Sequence, residues 1–175
     1  MKNFNFYLQV LAQQFKPKEA LEALRKMETL SMKPTDESYN QVMTAFAKTR
    51  DIEMVEKLNQ EAIDKYGLKP SKMRINALIL AYAKAGNPLD AEKVLRELVK
   101  SGLRPDAVTY TTVIDAYKRA RNIPKCWELY DYFTTNVGLE GEGKEADEFL
   151  LSFMIRICAA THEPEKAMRI FNEME

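Results

Sequence analysis

Residues 75–106, INALILAYAKAGNPLDAEKVLRELVKSGLRPD, alternate two helix-forming runs with two breaks. In the first run Ile75, Leu78, Ile79, Tyr82 and Ala83 fall at i, i+3, i+4, i+7 and i+8, the apolar face of one helix. Gly86-Asn87-Pro88 interrupts it, and Ala91, Val94, Leu95 and Leu98 then mark a second helix. Pro in the first turn of that helix is tolerated because its missing N–H had no partner there. The closing stretch Ser101-Gly102-Leu103-Arg104-Pro105-Asp106 holds a Gly that ends a helix, a Pro that stops it continuing and an Asp that caps the next. The segment reads as one helix–turn–helix pair.

The same pattern recurs along the chain, which makes it a structural repeat. The first stripe returns as Phe4, Tyr7, Leu8, Leu11 and Ala12, and as Tyr39, Val42, Met43, Phe46 and Ala47. Tyr110, Val113, Ile114, Tyr117 and Lys118 follow, and Leu151, Met154, Ile155, Cys158 and Ala159 close the series. The second stripe returns as Ala20, Ala23, Leu24 and Met27; as Val55, Leu58, Asn59 and Ala62; as Cys126, Leu129, Tyr130 and Phe133; and as Ala167, Ile170, Phe171 and Met174. Only Asn59 breaks it. The units run 1–35, 36–71, 72–106, 107–147 and an incomplete 148–175, one array with a Gly-rich surface insertion at 138–144. A single pair cannot bury both stripes, so neighbours are expected to stack into an all-α, right-handed superhelical solenoid.

Composition fits such an array and excludes other classes. The chain has 175 residues, and 26 Lys+Arg balance 26 Asp+Glu. With 6 Gly, 7 Pro and 2 Cys it is neither collagen-like nor stapled by disulfides. No apolar run reaches the ~18 residues of a membrane helix. Cys126 and Cys158 lie in apolar helical patterns and are expected as buried thiols rather than a disulfide, with no metal-binding spacing around them. The first fifteen residues do not read as a targeting peptide.

Two helix-pair repeats of this length compete. The tetratricopeptide pattern W-x₂-L-G-x₂-Y occurs in no unit. The chain instead resembles the pentatricopeptide-repeat (PPR) family, most closely in residues 75–106 and in VTYTTVIDAYKRARNIPKCWELYDYF, 108–133. Residues 38–71 are close to the same consensus, and the first and fifth units are weaker matches. The resemblance implies binding of single-stranded RNA, one base per repeat, with the base chosen by the fifth and the last residue of each unit. The fifth residues are Asn5, Asn40, Asn76, Thr111 and Ser152; the last are Thr35, Ser71, Asp106 and Asp147. By the family's pattern Asn76 with Asp106 implies uridine, Asn40 with Ser71 cytidine and Thr111 with Asp147 guanosine, while Asn5 with Thr35 implies no particular base.

Each column has a structural alternative. Thr35, Ser71, Asp106 and Asp147 are all good N-caps. The fifth-position side chains would otherwise hydrogen-bond between neighbouring repeats. Lys48, Lys84 and Arg119 recur near the end of the first helix, where they would track phosphates or favour a helix C-terminus. Gln13 and Ala160 interrupt that column. At the second position, where the family packs an aliphatic side chain against bases, Met73 and Val108 conform and Phe149 can substitute; Lys2 and Glu37 do not.

Enzymatic signatures are lacking. The single His, His162, sits in a turn, and there is no phosphate loop, deaminase motif or metallonuclease carboxylate cluster. No cofactor, metal, membrane or small-molecule substrate is expected. The reading is a non-catalytic RNA-binding adaptor in organelle RNA processing or translation, mitochondrial or alternatively chloroplast. Its rival is a scaffold subunit of a large ribonucleoprotein such as a mitochondrial ribosome, docking rRNA or proteins through the apolar C-terminal edge at Ile170, Phe171 and Met174.

Overall fold

The computed structural model describes residues 2–137 and 144–173, with side chains over 4–137 and 148–172. Residues 138–143 of the expected glycine-rich insertion, and Met174, lie outside the described residues. The described chain is all α. Its helices pair as α1 (Lys2–Gln13) with α2 (Pro17–Thr29), α3 (Asp36–Lys48) with α4 (Ile52–Tyr66), α5 (Lys72–Ala85) with α6 (Pro88–Lys100), α7 (Ala107–Arg119) with α8 (Ile123–Asn136), and α9 (Lys144–Thr161) with α10 (Pro164–Glu173). They form two compact units, Met1–Leu103 and Arg104–Glu175.

All five pairs turn by the same device. The fifteenth residue of each repeat is left-handed: Phe15 at φ 58°, Arg50 at 67°, Gly86 at 86°, Arg121 at 58° and His162 at 57°. The next N–H then reaches five residues back, from Lys16 to Leu11 O (3.0 Å), Asp51 to Phe46 O (3.1 Å), Asn87 to Tyr82 O (2.9 Å), Asn122 to Tyr117 O (2.9 Å) and Glu163 to Cys158 O (3.0 Å). This closure satisfies a carbonyl left over at the end of the first helix. Four of the five residues carry a side chain, so each stores the steric cost of the left-handed region. Around Gly86 nothing lies within 4 Å of where a Cβ would sit. Gly86→Ala is therefore expected to cost about 1 kcal/mol from backbone conformation alone, read as a lower urea midpoint at unchanged m-value.

In the first unit, α1, α3 and α5 pack side by side, and α2 and α4 each reach the first helix of the next repeat. Leu8, Leu24, Met27, Tyr39, Val42, Met43, Val55, Leu58 and Ala62 are fully buried between them. The expected stripe of α5 is only partly covered: Ile75, Leu78 and Tyr82 are half-buried, while Ala77 and Ala81, outside the stripe, join the core of α1–α4. The second unit packs α7 on α8 and α9, and α9 on α10. Its core holds Tyr110, Val113, Tyr117, Tyr130, Phe133 and Met154. Cys126 and Cys158 are free and buried there, and burial pushes the Cys126 thiol up to about 11.

Polar ties within and between repeats accompany this packing. Arg25 Nη2 donates to Glu61 Oε2 (2.6 Å) and Tyr39 Oη to Glu61 Oε1 (2.8 Å). Those bonds, Arg25's first, outweigh burial and hold the Glu61 carboxyl below the usual carboxylate range. The break at Asn59 also has its reason. Arg74, from the third repeat, is completely buried. Its Nη1 donates to Asn59 Oδ1 (3.0 Å), its Nη2 to the Leu68 carbonyl (3.2 Å) and that of Lys69, and its Nε to Asp36. Asn59 is polar because it receives a guanidinium.

Candidate nucleic-acid interface

On each first helix, positions two, five, nine and thirteen follow at spacings of three, four and four, so they share one face. The second repeat places Glu37, Asn40, Thr44 and Lys48 there, and the third Met73, Asn76, Leu80 and Lys84. The fourth places Val108, Thr111, Asp115 and Arg119, and the fifth Phe149, Ser152, Arg156 and Ala160. Met73 is 46% exposed, Val108 53% and Phe149 53%. Apolar side chains are thus held in solvent one helical turn before the fifth-position polar group in three successive repeats.

The fifth-position side chains are not equivalent. Asn40 and Asn76 are half-exposed and Ser152 is exposed. Thr111 is buried and donates its hydroxyl to the Ala107 carbonyl (2.7 Å). Asn5 is buried too: its Nδ2 donates to Glu37 Oε2 (2.7 Å) and its Oδ1 accepts from Ser38 Oγ (2.8 Å). The last-position residues begin the first helices. Thr35 shares a capping box with Ser38, Ser71 caps α5 at the Arg74 N–H, and Asp106 caps α7 at the Thr109 N–H. The Asp147 side chain lies outside the described residues.

The basic column divides similarly. Lys48 is half-buried, its Nζ donating to the Ala12 carbonyl (3.1 Å) and lying 5.4 Å from the centre of the Phe15 ring. It closes the end of the preceding first helix. Lys84 is exposed, and none of the described residues pairs with it. Arg119 is exposed and lies 3.0 Å from Asp115 Oδ2.

Among the described residues no group of three His, Cys, Asp or Glu is placed to hold a metal ion, and no helix is long and apolar enough to cross a membrane. The profile described as PPR repeat family matches residues 70–119, and that described as PPR repeat matches 37–61, 108–134 and 149–175. Together they cover more than half of the chain. The chain belongs to the PPR family.

Curated relatives extend the assignment. A mitochondrial pentatricopeptide repeat-containing protein of Arabidopsis thaliana is 32% identical over 105 residues, 59% of this chain and 26% of its own length. A mitochondrial 15S rRNA processing factor of Schizosaccharomyces japonicus is 25% identical over 166 residues, 94% of this chain and 24% of its own. The PPR array thus spans about a quarter of the length of these relatives. Among solved structures, maize PPR10 in complex with an 18-nt psaJ RNA element matches at a TM-score of 0.80 and 23% identity, covering 98% of this chain and 24% of that one. At that identity the likeness concerns the fold.

Arg156 on this PPR face escaped the sequence reading. It is an exposed cation four residues after Ser152, in the repeat whose thirteenth residue is Ala160, and it lies 5.3 Å from the centre of the Phe153 ring. The spacing of four from the fifth position was a usable signal.

Proposed function

We propose that this PPR array binds a short single-stranded RNA through the exposed faces of its first helices, as a non-catalytic adaptor in organelle RNA processing or translation. The observation that carries this reading is the exposure of Met73, Val108 and Phe149, each one turn from Asn76, Thr111 or Ser152. Exposed apolar side chains cover base faces, and the amide or hydroxyl beside them meets a base edge. In this reading Asn40, paired with Ser71, and Asn76 meet base edges, whereas the Thr111 hydroxyl is engaged by the Ala107 carbonyl. Lys84 and Arg119, both exposed, hold phosphates. The mitochondrial rRNA processing relative and the RNA-bound maize protein support the class of ligand, and the mitochondrial and chloroplast names among the relatives support an organelle.

The test is fluorescence anisotropy on short single-stranded RNAs. Lys84→Glu with Arg119→Glu is expected to weaken binding at least about ten-fold at 0.1 M salt. It should also flatten the slope of log affinity against log salt by about 1.4, roughly 0.7 for each phosphate that is no longer neutralised. Unchanged affinity and slope would remove the groove mechanism.

A second reading follows from the internal bonding of Asn5, Thr111 and Lys48, which turns these polar groups toward the protein. In it the array is a scaffold subunit of a ribonucleoprotein, docking rRNA or protein through its C-terminal edge, where Phe171 is exposed as expected and Met168 joins it, while Ile170, expected there too, is buried against the protein. A relative 24% identical over 125 residues, 71% of this chain and 28% of its own length, is a small ribosomal subunit protein of Arabidopsis thaliana. Phe171→Asp separates the two, abolishing particle assembly in this reading and leaving RNA affinity intact in the first.

A further inference from the structure

Asn5 and Asn40 occupy the same position of successive repeats within one compact unit, yet their amides differ in state. Both polar ends of Asn5 are bonded, the Nδ2 to Glu37 and the Oδ1 to Ser38, and the residue is 9% exposed. Thr35, its partner in the base-reading pair, is enclosed in the same chain of hydrogen bonds. The Ser38 Oγ accepts from the Thr35 N–H (3.1 Å) and lies 3.1 Å from the Thr35 Oγ1. Asn40 is half-exposed, and its side chain has no partner among the described residues.

The difference lies in the two residues that follow in the next first helix. Glu37 and Ser38 stand at positions two and three of the second repeat; Met73 and Arg74 stand at those positions of the third. Met73 has no acceptor for an amide. Arg74 turns away to Asp36, Asn59 and the Leu68 and Lys69 carbonyls. An Asn side chain offers two donors and one acceptor oxygen. A carboxylate is a charge-assisted acceptor, stronger than the neutral edge of a base. It also puts a charge at position two, where the third, fourth and fifth repeats hold the apolar Met73, Val108 and Phe149.

We propose that Glu37 and Ser38 close the base-reading position of the first repeat, so that the register of RNA on this array begins at Asn40. Glu37 stands in for the base edge that Asn5 would otherwise meet, and it is a specificity-determining residue by exclusion. The proposal rests on the RNA-binding reading above and fixes where that footprint starts.

The experiment measures anisotropy with oligonucleotides lengthened one nucleotide at a time. Glu37→Met, which copies the third repeat, is expected to reach its affinity plateau one nucleotide later than wild type and to bind the longer RNA about ten-fold tighter. Glu37→Gln keeps an acceptor for Asn5 without the charge, and its plateau length is expected to match wild type. In the wild-type background Asn5→Ala should leave affinity unchanged and Asn40→Ala should lower it, a comparison that does not depend on how well Glu37→Met folds. A Glu37→Met plateau at the wild-type length, or an Asn5→Ala loss equal to that of Asn40→Ala, overturns the proposal. Wild-type protein that binds no single-stranded RNA overturns the functional reading and this inference with it. Wild-type binding combined with an unmoved plateau overturns the inference alone.

Discussion

Arg74→Ala is expected to lower the unfolding free energy by about 3 kcal/mol, because it removes a fully buried guanidinium from its acceptors, with Asp36 on the other side 27% exposed. Arg74 is 0% exposed and binds Asp36, Asn59 and two backbone carbonyls of the joint between the second and third repeats. Truncation leaves the Asn59 amide oxygen and the Leu68 and Lys69 carbonyls without their donor, and each such group is costly when buried. Arg74→Lys is expected to recover little, because an ammonium cannot reproduce the planar fork that serves several acceptors at once. Replacing the cluster by apolar groups is a different experiment. Arg74→Met with Asn59→Leu restores the apolar stripe of α4 and is expected to regain much of the loss, as buried ionic clusters often do when exchanged whole. Urea unfolding of the singles and the double gives the coupling energy directly. Additive losses would show that Asn59 and Arg74 do not act together.

Phe133→Ala is expected to cost about 3–5 kcal/mol in the second unit. The side chain is 1% exposed, and its ring lies 5.0 Å from that of Tyr110, tilted by 58°. That contact holds α8 on α7, since Tyr110 is itself 1% exposed and tilted aromatic pairs add to simple area burial. Phe133→Leu retains most of the volume and should cost well under half as much. Phe149, 53% exposed, is the control: Phe149→Ala should change stability by no more than about 0.5 kcal/mol. Thermal and urea unfolding check all three. An equal loss at Phe149 and Phe133 would contradict their placement.

Much of the fold was legible because its signals are local. The period of Tyr39, Val42, Met43, Phe46 and Ala47 needs only the pitch of a helix, and Thr35, Ser71 and Asp106 announce helix starts by chemistry they perform within three residues. The turn was legible in part. Gly86 and the prolines mark it, whereas Phe15, Arg50 and Arg121 adopt the same left-handed backbone without any residue preference to advertise it. There the requirement to pair two helices overrides propensity.

The sequence by itself determined the helix–turn–helix pattern, the two apolar stripes and the columns of polar and basic residues at positions five and thirteen. Those features follow from periodicity along one chain segment. Only the tertiary structure decided the state of each member of a column. Asn5 is bonded by residues 32 and 33 positions away, Lys48 by a carbonyl 36 away, and Arg74 by a carboxylate 38 away. A hydrogen bond depends on which donor meets which acceptor in space, and stacking one repeat on the next supplies partners that no local pattern encodes. Identical letters in one column, Asn5 and Asn40, therefore end with different chemistry.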